Sequence, residues 1–192
     1  MAESSQSAAL SSVGQAKTAH LPAVCQFVGY KNSGKTTLIC ALIPLLKQKG
    51  CTVAVIKHDA HDYDMDHPGT DTWKQRQAGA AAVAITCATR TSVIEEQSAS
   101  LSQLIAGFSG YDYILIEGFK QEAYPKIVLL HNFEDLKLLK QASNIAALAV
   151  WEPIQPAVIA EKPQEKLFYI NDIEGIANLL WQQRSNFKNF NI

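Results

Sequence analysis

The chain has 192 residues, of which 47% are hydrophobic and 18% are charged, and its formal net charge is −1. This length and composition suit one α/β domain with a substantial core and an appendage, and they argue against two full domains. The near-neutral charge argues against a nucleic-acid binder, and the lack of any apolar run near the roughly 18 residues of a membrane span argues against a membrane protein.

The chain begins with 20 residues rich in Ser, Ala and Gln, which we predict to be a disordered extension of a single domain over residues 21–192. From Ala23 onward, short apolar runs alternate with amphipathic segments, a pattern typical of parallel strands joined by crossover helices. The predicted strands are 23–28, 52–57, 82–86, 112–117, 126–130 and 145–150. The predicted helices are 35–49, 70–79, 98–108 and 171–185, with a short helix over 133–140 and an extended loop over 151–156.

The four cysteines lie singly in apolar stretches without metal-binding spacing, which predicts small core residues in a reducing compartment: Cys25, Cys40, Cys51 and Cys87. The first residues, Met1–Ser5, lack the basic and apolar regions of a signal peptide. We therefore expect a cytoplasmic protein.

The segment Gly29–Thr36 fits the phosphate-binding template G-x-x-x-x-G-K-[ST] at every fixed position. It follows an apolar strand and precedes a helix, which is the context that the template requires. Glycines let backbone N–H groups turn inward around a polyphosphate, and the helix directs its positive end at the same anion. Lys35 is then expected to reach the β- and γ-phosphates, and the Thr36 hydroxyl to bind Mg²⁺.

Glu117 ends the apolar run that begins at Tyr113, as expected for a buried parallel strand whose tip faces a ligand crevice. We predict that its carboxylate holds Mg²⁺ directly or through water. The alternative is a solvated acid at the end of a strand.

Seven of the ten residues from His58 to His67 are His or Asp. His58, His61 and Asp62 could bind a transition metal, bind Mg²⁺ through oxygen, or hold an anionic substrate through protonated imidazoles. A solvated loop is the alternative. The lack of Cys pairs and of zinc spacings makes a dedicated zinc site the weakest of these hypotheses.

The helix over 70–79 has Thr70 or Asp71 as its N-cap and Gly79 at its end. Arg76 within it is a candidate for a phosphate contact or for a surface salt bridge.

These segments together resemble the molybdopterin-guanine dinucleotide biosynthesis adapter family, over nearly all of residues 23–180. The resemblance is carried by Ser33-Gly34-Lys35-Thr36-Thr37, Lys57-His58 with His61-Asp62, Asp64-x-Asp66-x-Pro68-Gly69-x-Asp71, Ala78-Gly79-Ala80, Glu117-Gly118-Phe119-Lys120, Lys126-Ile127-Val128 and Asn171-Asp172-Ile173-Glu174-Gly175.

The resemblance implies a three-layer α/β P-loop NTPase fold with a mostly parallel sheet, and an additional strand and loop region used in dimerisation. It implies an adapter that binds GTP with Mg²⁺, hydrolyses GTP slowly at most, and assists the guanylyltransferase that joins GMP to molybdopterin. Family members form homodimers whose subunits interlock through strands. We consider 126–130 a candidate for such exchange, because the irregular region beside it could leave an edge free.

The family likeness assigns nucleotide contacts to Gly29, Asn32, Ser33, Gly34, Lys35, Thr36 and Thr37, and the metal to Thr36 and Glu117. Lys31, inside the loop, is a further candidate contact that could reach across a dimer interface, and a solvent-facing lysine is the alternative. Lys35 and Asp62 are the candidate catalytic groups. The loop positions that match without an assigned role are His58, His61, Asp62, Asp64, Asp66 and Asp71.

The chain departs from the family at Ala60, where a further His is common, and at Val150–Pro153, where a Ser/Ala-Asp pair usually recognises the base. No N-K-x-D element specifies guanine, so Glu152 is the candidate acceptor for the guanine N1–H and N2–H₂ groups. Two alternatives to the adapter are an ATP-dependent small-molecule enzyme like dethiobiotin synthetase and a metallochaperone GTPase that loads its metal on 58–67.

Overall fold

The computed structural model describes residues 21–59, 62–161 and 164–188. They form two compact units, which we call the sheet unit, up to His58 and again from Leu104, and the insert unit, Asp59–Gln103. The predicted extension over 1–20 lies outside the described residues, so its disorder stays a prediction. The chain passes from the insert unit back into the sheet unit within α3 (Leu101–Gly107).

The sheet unit is built on six strands that all pair in parallel, in the order β2-β5-β1-β6-β7-β8. Their bounds are Ala23–Val28 for β1, Val53–Lys57 for β2, Tyr113–Glu117 for β5, Lys126–Leu130 for β6, Ile145–Val150 for β7 and Leu167–Tyr169 for β8. The connections from β1 lead to one side of the sheet and those from β6 to the other, so β1 ends at a topological switch point, where such sheets bind ligands.

Helices cover both faces of this sheet and give three layers. On one face, α1 (Lys35–Gln48) and α6 (Ile173–Gln182) bury apolar side chains against alternate strand residues such as Phe27 and Leu115. On the other face, α4 (Leu138–Gln141) and α5 (Gln155–Glu161) pack against residues such as Val128. Because both faces are covered, β1, β5 and β6 are buried throughout, and the predicted fold class is confirmed.

The six predicted strands and the main helices occur close to their predicted positions, and α1 continues through Pro44. The cysteine prediction is half right, because Cys25 and Cys51 are buried whereas Cys40 and Cys87 are exposed. The short β8, α5 and a strand over Thr91–Glu95 were not predicted. A strand of three residues is too brief for its alternation to be recognised in the sequence.

Two predictions about the second half of the chain are wrong. β6 lies inside the sheet between β1 and β7, so segment 126–130 is not an edge that could be exchanged. The segment 151–156 is not an extended loop, because a 3₁₀ helix (Glu152–Ile154) leads directly into α5. Both prolines of that segment fall in the first turn of a helix, where a missing N–H costs nothing.

The insert unit contains α2 (Asp71–Gln77) and an antiparallel hairpin of β3 (Ala82–Thr86) and β4 (Thr91–Glu95). Thr70 is the N-cap of α2, because its side chain accepts a hydrogen bond from the N–H of Trp73. The expectation that 82–86 joins the parallel sheet is wrong, since β3 pairs only with β4 among the described strands. The alternation that predicts a strand carries no information about its partner.

Asp112, just before β5, ties β2 and the end of α6 together. Its carboxylate accepts hydrogen bonds from the N–H and hydroxyl of Thr52, at 2.8 and 2.7 Å, and from Arg184, at 2.9 Å. Burial favours a raised pKa, but these hydrogen bonds outweigh burial and hold the pKa of Asp112 well below its usual value.

We expect Asp112→Ala to lower the free energy of unfolding by about 2 kcal/mol at pH 7. Because the folded pKa is depressed, this stabilisation is present above the unfolded value of about 3.9 and is lost as pH falls below it. Urea titrations at several pH values measure the free energy of unfolding of the variant and of the wild type. The difference between the two free energies should become smaller below about pH 4. Glu161→Gln, at an exposed position, is the control. An equal loss at every pH would contradict the ionic origin of the effect.

Candidate functional site

The segment Gly29–Thr36 forms a tight loop between β1 and α1. Asn32 has φ 62° and Gly34 has φ 97°, so both lie in the left-handed region that lets successive N–H groups face one side. A Cβ atom on Gly29 would overlap the Ser33 hydroxyl and come within 3.0 Å of the Leu129 carbonyl oxygen. The loop can therefore take this path only with glycine at position 29, because Leu129 is fixed in β6.

The first turn of α1 opens onto this loop without a side-chain cap. Gly34 occupies the N-cap position, and no side chain in the described part of the chain caps the first N–H groups of the helix. Uncapped N–H groups and the helix dipole together create an anion site.

Lys35 folds back over the loop. Its ammonium donates hydrogen bonds to the carbonyls of Gly29 at 3.2 Å and Tyr30 at 2.7 Å. Burial lowers the pKa of Lys35, the charge of Glu117 opposes this, and Lys57 and Lys120 add to the lowering. An anion bound by the loop would relieve this repulsion among cations.

Thr36, in the first turn of α1, contacts Glu117, the last residue of β5. The Thr36 hydroxyl lies 2.9 Å from both carboxylate oxygens of Glu117, which is buried. β5 pairs directly with β1, which places the tip of the acidic strand beside the loop. A hydroxyl and a carboxylate are hard oxygen donors that fit Mg²⁺, and a Mg²⁺ ion bound with phosphates needs few protein ligands. In the described ranges, no cluster of three or more His, Cys, Asp or Glu side chains could hold a metal alone.

Trp151 supports the loop from the end of β7. Its indole N–H donates to the Ser33 carbonyl at 3.2 Å, and the His131 ring meets the indole edge-on at a centroid distance of 4.9 Å. The Ser33 side chain is buried and its hydroxyl has no partner among the described residues. The loop is thus braced by side chains from β6 and β7 at the same end of the sheet.

The remaining predicted nucleotide contacts are spread around the loop. Lys31, Thr36 and Thr37 are exposed. Glu152 is also exposed and lies at the start of the 3₁₀ helix after Trp151. His58 follows β2, and its backbone N–H donates a hydrogen bond to the Glu117 carbonyl at 2.9 Å. Its ring packs on Phe119 at 4.7 Å.

The other acidic loop candidates belong to the insert unit. Asp64 accepts a hydrogen bond from the Asp66 N–H and another from Arg76, and together they hold the pKa of Asp64 below its usual value. Asp71 forms an exposed ion pair with Lys74, and Asp62 is exposed. His61 lies outside the described residues.

Arg76 binds carboxylates in this structure. Its guanidinium forms ion pairs with Asp64, Asp66 and Glu96. Of the two hypotheses for Arg76, the salt bridge is therefore the one that the structure shows. The network fixes the turn that leads into α2.

Sequence reasoning missed two residues that shape the site. Trp151 was noted only as a departure from the family pattern, and nothing in its neighbours predicts the bond to Ser33. Gln26 is completely buried in β1, and its side-chain amide donates to the carbonyls of Gly118 at 3.2 Å and Phe119 at 2.8 Å. A glutamine inside an otherwise apolar strand was the available signal, because buried amides need partners.

A phosphate loop after the central strand of a three-layer parallel sheet, with an acid at the tip of the neighbouring strand, defines a P-loop NTPase-like protein. The profile of the family described as molybdopterin guanine dinucleotide synthesis protein B matches residues 24–151. The chain belongs to this family.

Individual relatives carry the same family description. The chain is 35% identical over 173 residues to the molybdopterin-guanine dinucleotide biosynthesis adapter protein of Escherichia coli, covering 83% of this chain and 93% of that protein. It is 39% identical over 132 residues to the protein of the same description from Haemophilus influenzae, covering 66% and 74%.

Solved structures share the fold. The crystal structure of Bacillus subtilis MobB has a TM-score of 0.71 at 29% identity, covering 83% of this chain and 96% of that one. The MobB homologue from Bacillus stearothermophilus has a TM-score of 0.64 at 27% identity, covering 84% and 97%. HypB from Helicobacter pylori, at 17% identity and a TM-score of 0.51, shares the fold only. None of the helices in the described ranges is long and apolar enough to cross a membrane.

Proposed function

We propose that this protein is a GTP-binding adapter of molybdenum cofactor biosynthesis, which assists the guanylyltransferase that forms molybdopterin guanine dinucleotide. Family membership supports the pathway, and the Thr36–Glu117 pair beside the uncapped start of α1 is the observation that supports a nucleotide bound with Mg²⁺. Cys25, Cys40 and Cys87 are free thiols, which suits the reducing cytoplasm where GTP is available.

Different residues of the site bind different parts of the nucleotide. The N–H groups from Gly29 to Thr37 and the ammonium of Lys35 hold the phosphates, with Lys31 at the rim. Thr36 and Glu117 hold Mg²⁺, which supplies charge neutralisation on the phosphate oxygens. Glu152, on the exposed turn after β7, accepts hydrogen bonds from the guanine edge.

Hydrolysis is at most slow in this proposal. Asp62 is the candidate base for the attacking water, and His58, His61, Asp64, Asp66 and Asp71 are candidate contacts for phosphate, pterin or partner. Asp62→Asn tests the assignment. Turnover should fall with little change in GTP affinity, because a group that acts only in the transition state changes kcat and not ground-state binding.

A reconstituted reaction tests the adapter role. Purified guanylyltransferase, molybdopterin and Mg-GTP are combined with and without this protein, and molybdopterin guanine dinucleotide is measured by chromatography. We expect faster product formation and co-purification of the two proteins when this protein is present. Equal rates, with no association of the proteins, would contradict the proposal.

We further propose that the protein is a homodimer joined through the β3–β4 hairpin. Ile85 and Val93 are exposed apolar residues on this hairpin, and a two-stranded sheet alone is marginally stable. Ile85 and Val93 lie on opposite faces of the hairpin, because Ile85 pairs with Ser92 and Val93 with Ala84. Pairing with the same hairpin of a second copy would satisfy a strand edge and place Ile85 within a larger shared sheet, with the two-fold symmetry usual for dimers.

Substitution of the hairpin tests this interface. We expect Ile85→Lys to convert the dimer into a monomer in sedimentation experiments, because a charge placed in an apolar interface loses its hydration. Ile159→Lys, at an exposed isoleucine of α5, is the matched control and should remain dimeric. A monomeric wild-type protein would contradict the dimer, and a dimeric Ile85→Lys variant would contradict this choice of interface.

A further inference from the structure

Lys120 stands beside the phosphate loop without an assigned role. Its ammonium lies 4.3 Å from the ring centroid of Tyr30, the second residue of the loop, so a cation–π contact joins the two segments. Among the described residues, no carboxylate forms an ion pair with Lys120. The ammonium is therefore held at the loop by a ring face, which leaves its hydrogen-bond donors available.

The backbone just before Lys120 is held in an unusual conformation. Gly118 has φ 99° and Phe119 has φ 53°, and a left-handed conformation is rare for a bulky aromatic residue. The buried amide of Gln26 donates to both of their carbonyls, and the His58 ring packs on the Phe119 ring. Strained backbone that the surroundings hold in place is concentrated at functional sites.

The charges around the loop are unbalanced in favour of cations. Lys120 lies over the Tyr30 ring and Lys35 is bonded to the carbonyls of Gly29 and Tyr30, so two ammonium groups are held at the loop, with Glu117 as the buried acid beside Thr36. Glu117 is also the residue that fits Mg²⁺, so a bound metal ion would neutralise its negative charge. The negative charges of a triphosphate are the natural complement to this arrangement.

We propose that Lys120 is a second phosphate-contacting cation, which binds the terminal phosphate of the nucleotide and stabilises the charge that develops on it during hydrolysis. In that reaction the oxygen of water bonds to the γ-phosphorus and the bond from that phosphorus to the β–γ bridging oxygen breaks. GDP leaves, and the water proton ends on the released phosphate or in solvent. Tyr30 and Gln26 are positioning residues, since they act by holding Lys120 in place. This inference rests on the proposed binding of Mg-GTP at Gly29–Thr36.

The inference predicts a difference between triphosphate and diphosphate. For Lys120→Met we expect affinity for a non-hydrolysable GTP analogue to fall about tenfold while affinity for GDP is unchanged, because only the triphosphate carries the γ-phosphate. The single-turnover rate of hydrolysis should fall about a hundredfold, as expected when a charge-stabilising group is removed. Lys120→Arg should retain part of the affinity for the GTP analogue and part of the hydrolysis rate. Tyr30→Leu should reduce the hydrolysis rate less than Lys120→Met does.

Calorimetry with the GTP analogue and with GDP, and single-turnover hydrolysis of labelled GTP, measure these effects on the full chain. Lys49→Met is the matched control, because Lys49 also lies over an aromatic ring, at 5.2 Å from Trp181, beyond the far end of α1. Thermal unfolding of each variant checks that it is folded.

The outcomes separate this inference from the proposed function. If the wild type binds neither nucleotide, the GTP assignment fails and the role of Lys120 fails with it. If the wild type binds both and Lys120→Met behaves like Lys49→Met, only the role of Lys120 is overturned. Equal weakening of GTP-analogue and GDP binding would also overturn it, since that pattern indicates a structural effect on the whole loop.

Discussion

Replacement of Lys35 by Ala should abolish most nucleotide binding while leaving the fold intact. The ammonium of Lys35 lies over the loop, bonded to two of its carbonyls, where it can turn to the β- and γ-phosphates. Charge-assisted hydrogen bonds to two phosphates are worth about 3 kcal/mol together, so affinity for GTP should fall about a hundredfold. Isothermal titration calorimetry with Mg-GTP measures the loss.

The fold should tolerate this substitution. The shorter hydrogen bond of Lys35 goes to the exposed Tyr30 carbonyl, which water can satisfy, and burial already disfavours the charge of Lys35. We therefore expect the melting temperature of Lys35→Ala to stay within a few degrees of the wild type, as for the control Lys47→Ala in the last turn of α1. Undiminished GTP affinity in the folded Lys35→Ala protein would contradict nucleotide binding at Gly29–Thr36.

The sheet could be predicted because its signals are local. An apolar run such as 113–117 and the glycines and lysine of the loop each specify a conformation within a few residues of themselves. The positions of β1, α1, β5 and β6 followed from these signals. The partner of a strand depends on residues far away in the chain, which is why the antiparallel pairing of β3 and the interior place of β6 could not be predicted.

The candidate site was predictable where a short motif fixes the chemistry, and was not where it depends on tertiary contacts. The meeting of Thr36 with Glu117 follows from a loop after one strand and an acid at the tip of its neighbour. Trp151 reaches the loop from β7, more than 100 residues along the chain. The place of Lys120 depends on a glutamine buried beneath it, and no local pattern contains both residues.

Glu117→Gln should make GTP binding require much more Mg²⁺. The carboxylate of Glu117 is buried and lies 2.9 Å from the Thr36 hydroxyl, so its replacement by a neutral amide of the same shape removes charge without removing volume. Losing a charged group next to a metal usually costs tenfold to a hundredfold in metal affinity. We expect the Mg²⁺ concentration for half-maximal GTP binding to rise about tenfold or more, with GDP binding in EDTA little changed.

A double-mutant cycle with Thr36→Val shows whether the two residues serve one ion. If both hold the same Mg²⁺, the effects of Thr36→Val and Glu117→Gln on Mg-GTP affinity should not add, because either change alone disrupts the shared site. Glu134→Gln, at an exposed position, should leave the Mg²⁺ requirement unchanged. Additive effects would mean that Glu117 acts on the loop electrostatically and that Thr36 alone meets the metal. An unchanged Mg²⁺ requirement in Glu117→Gln would remove Glu117 from the metal site.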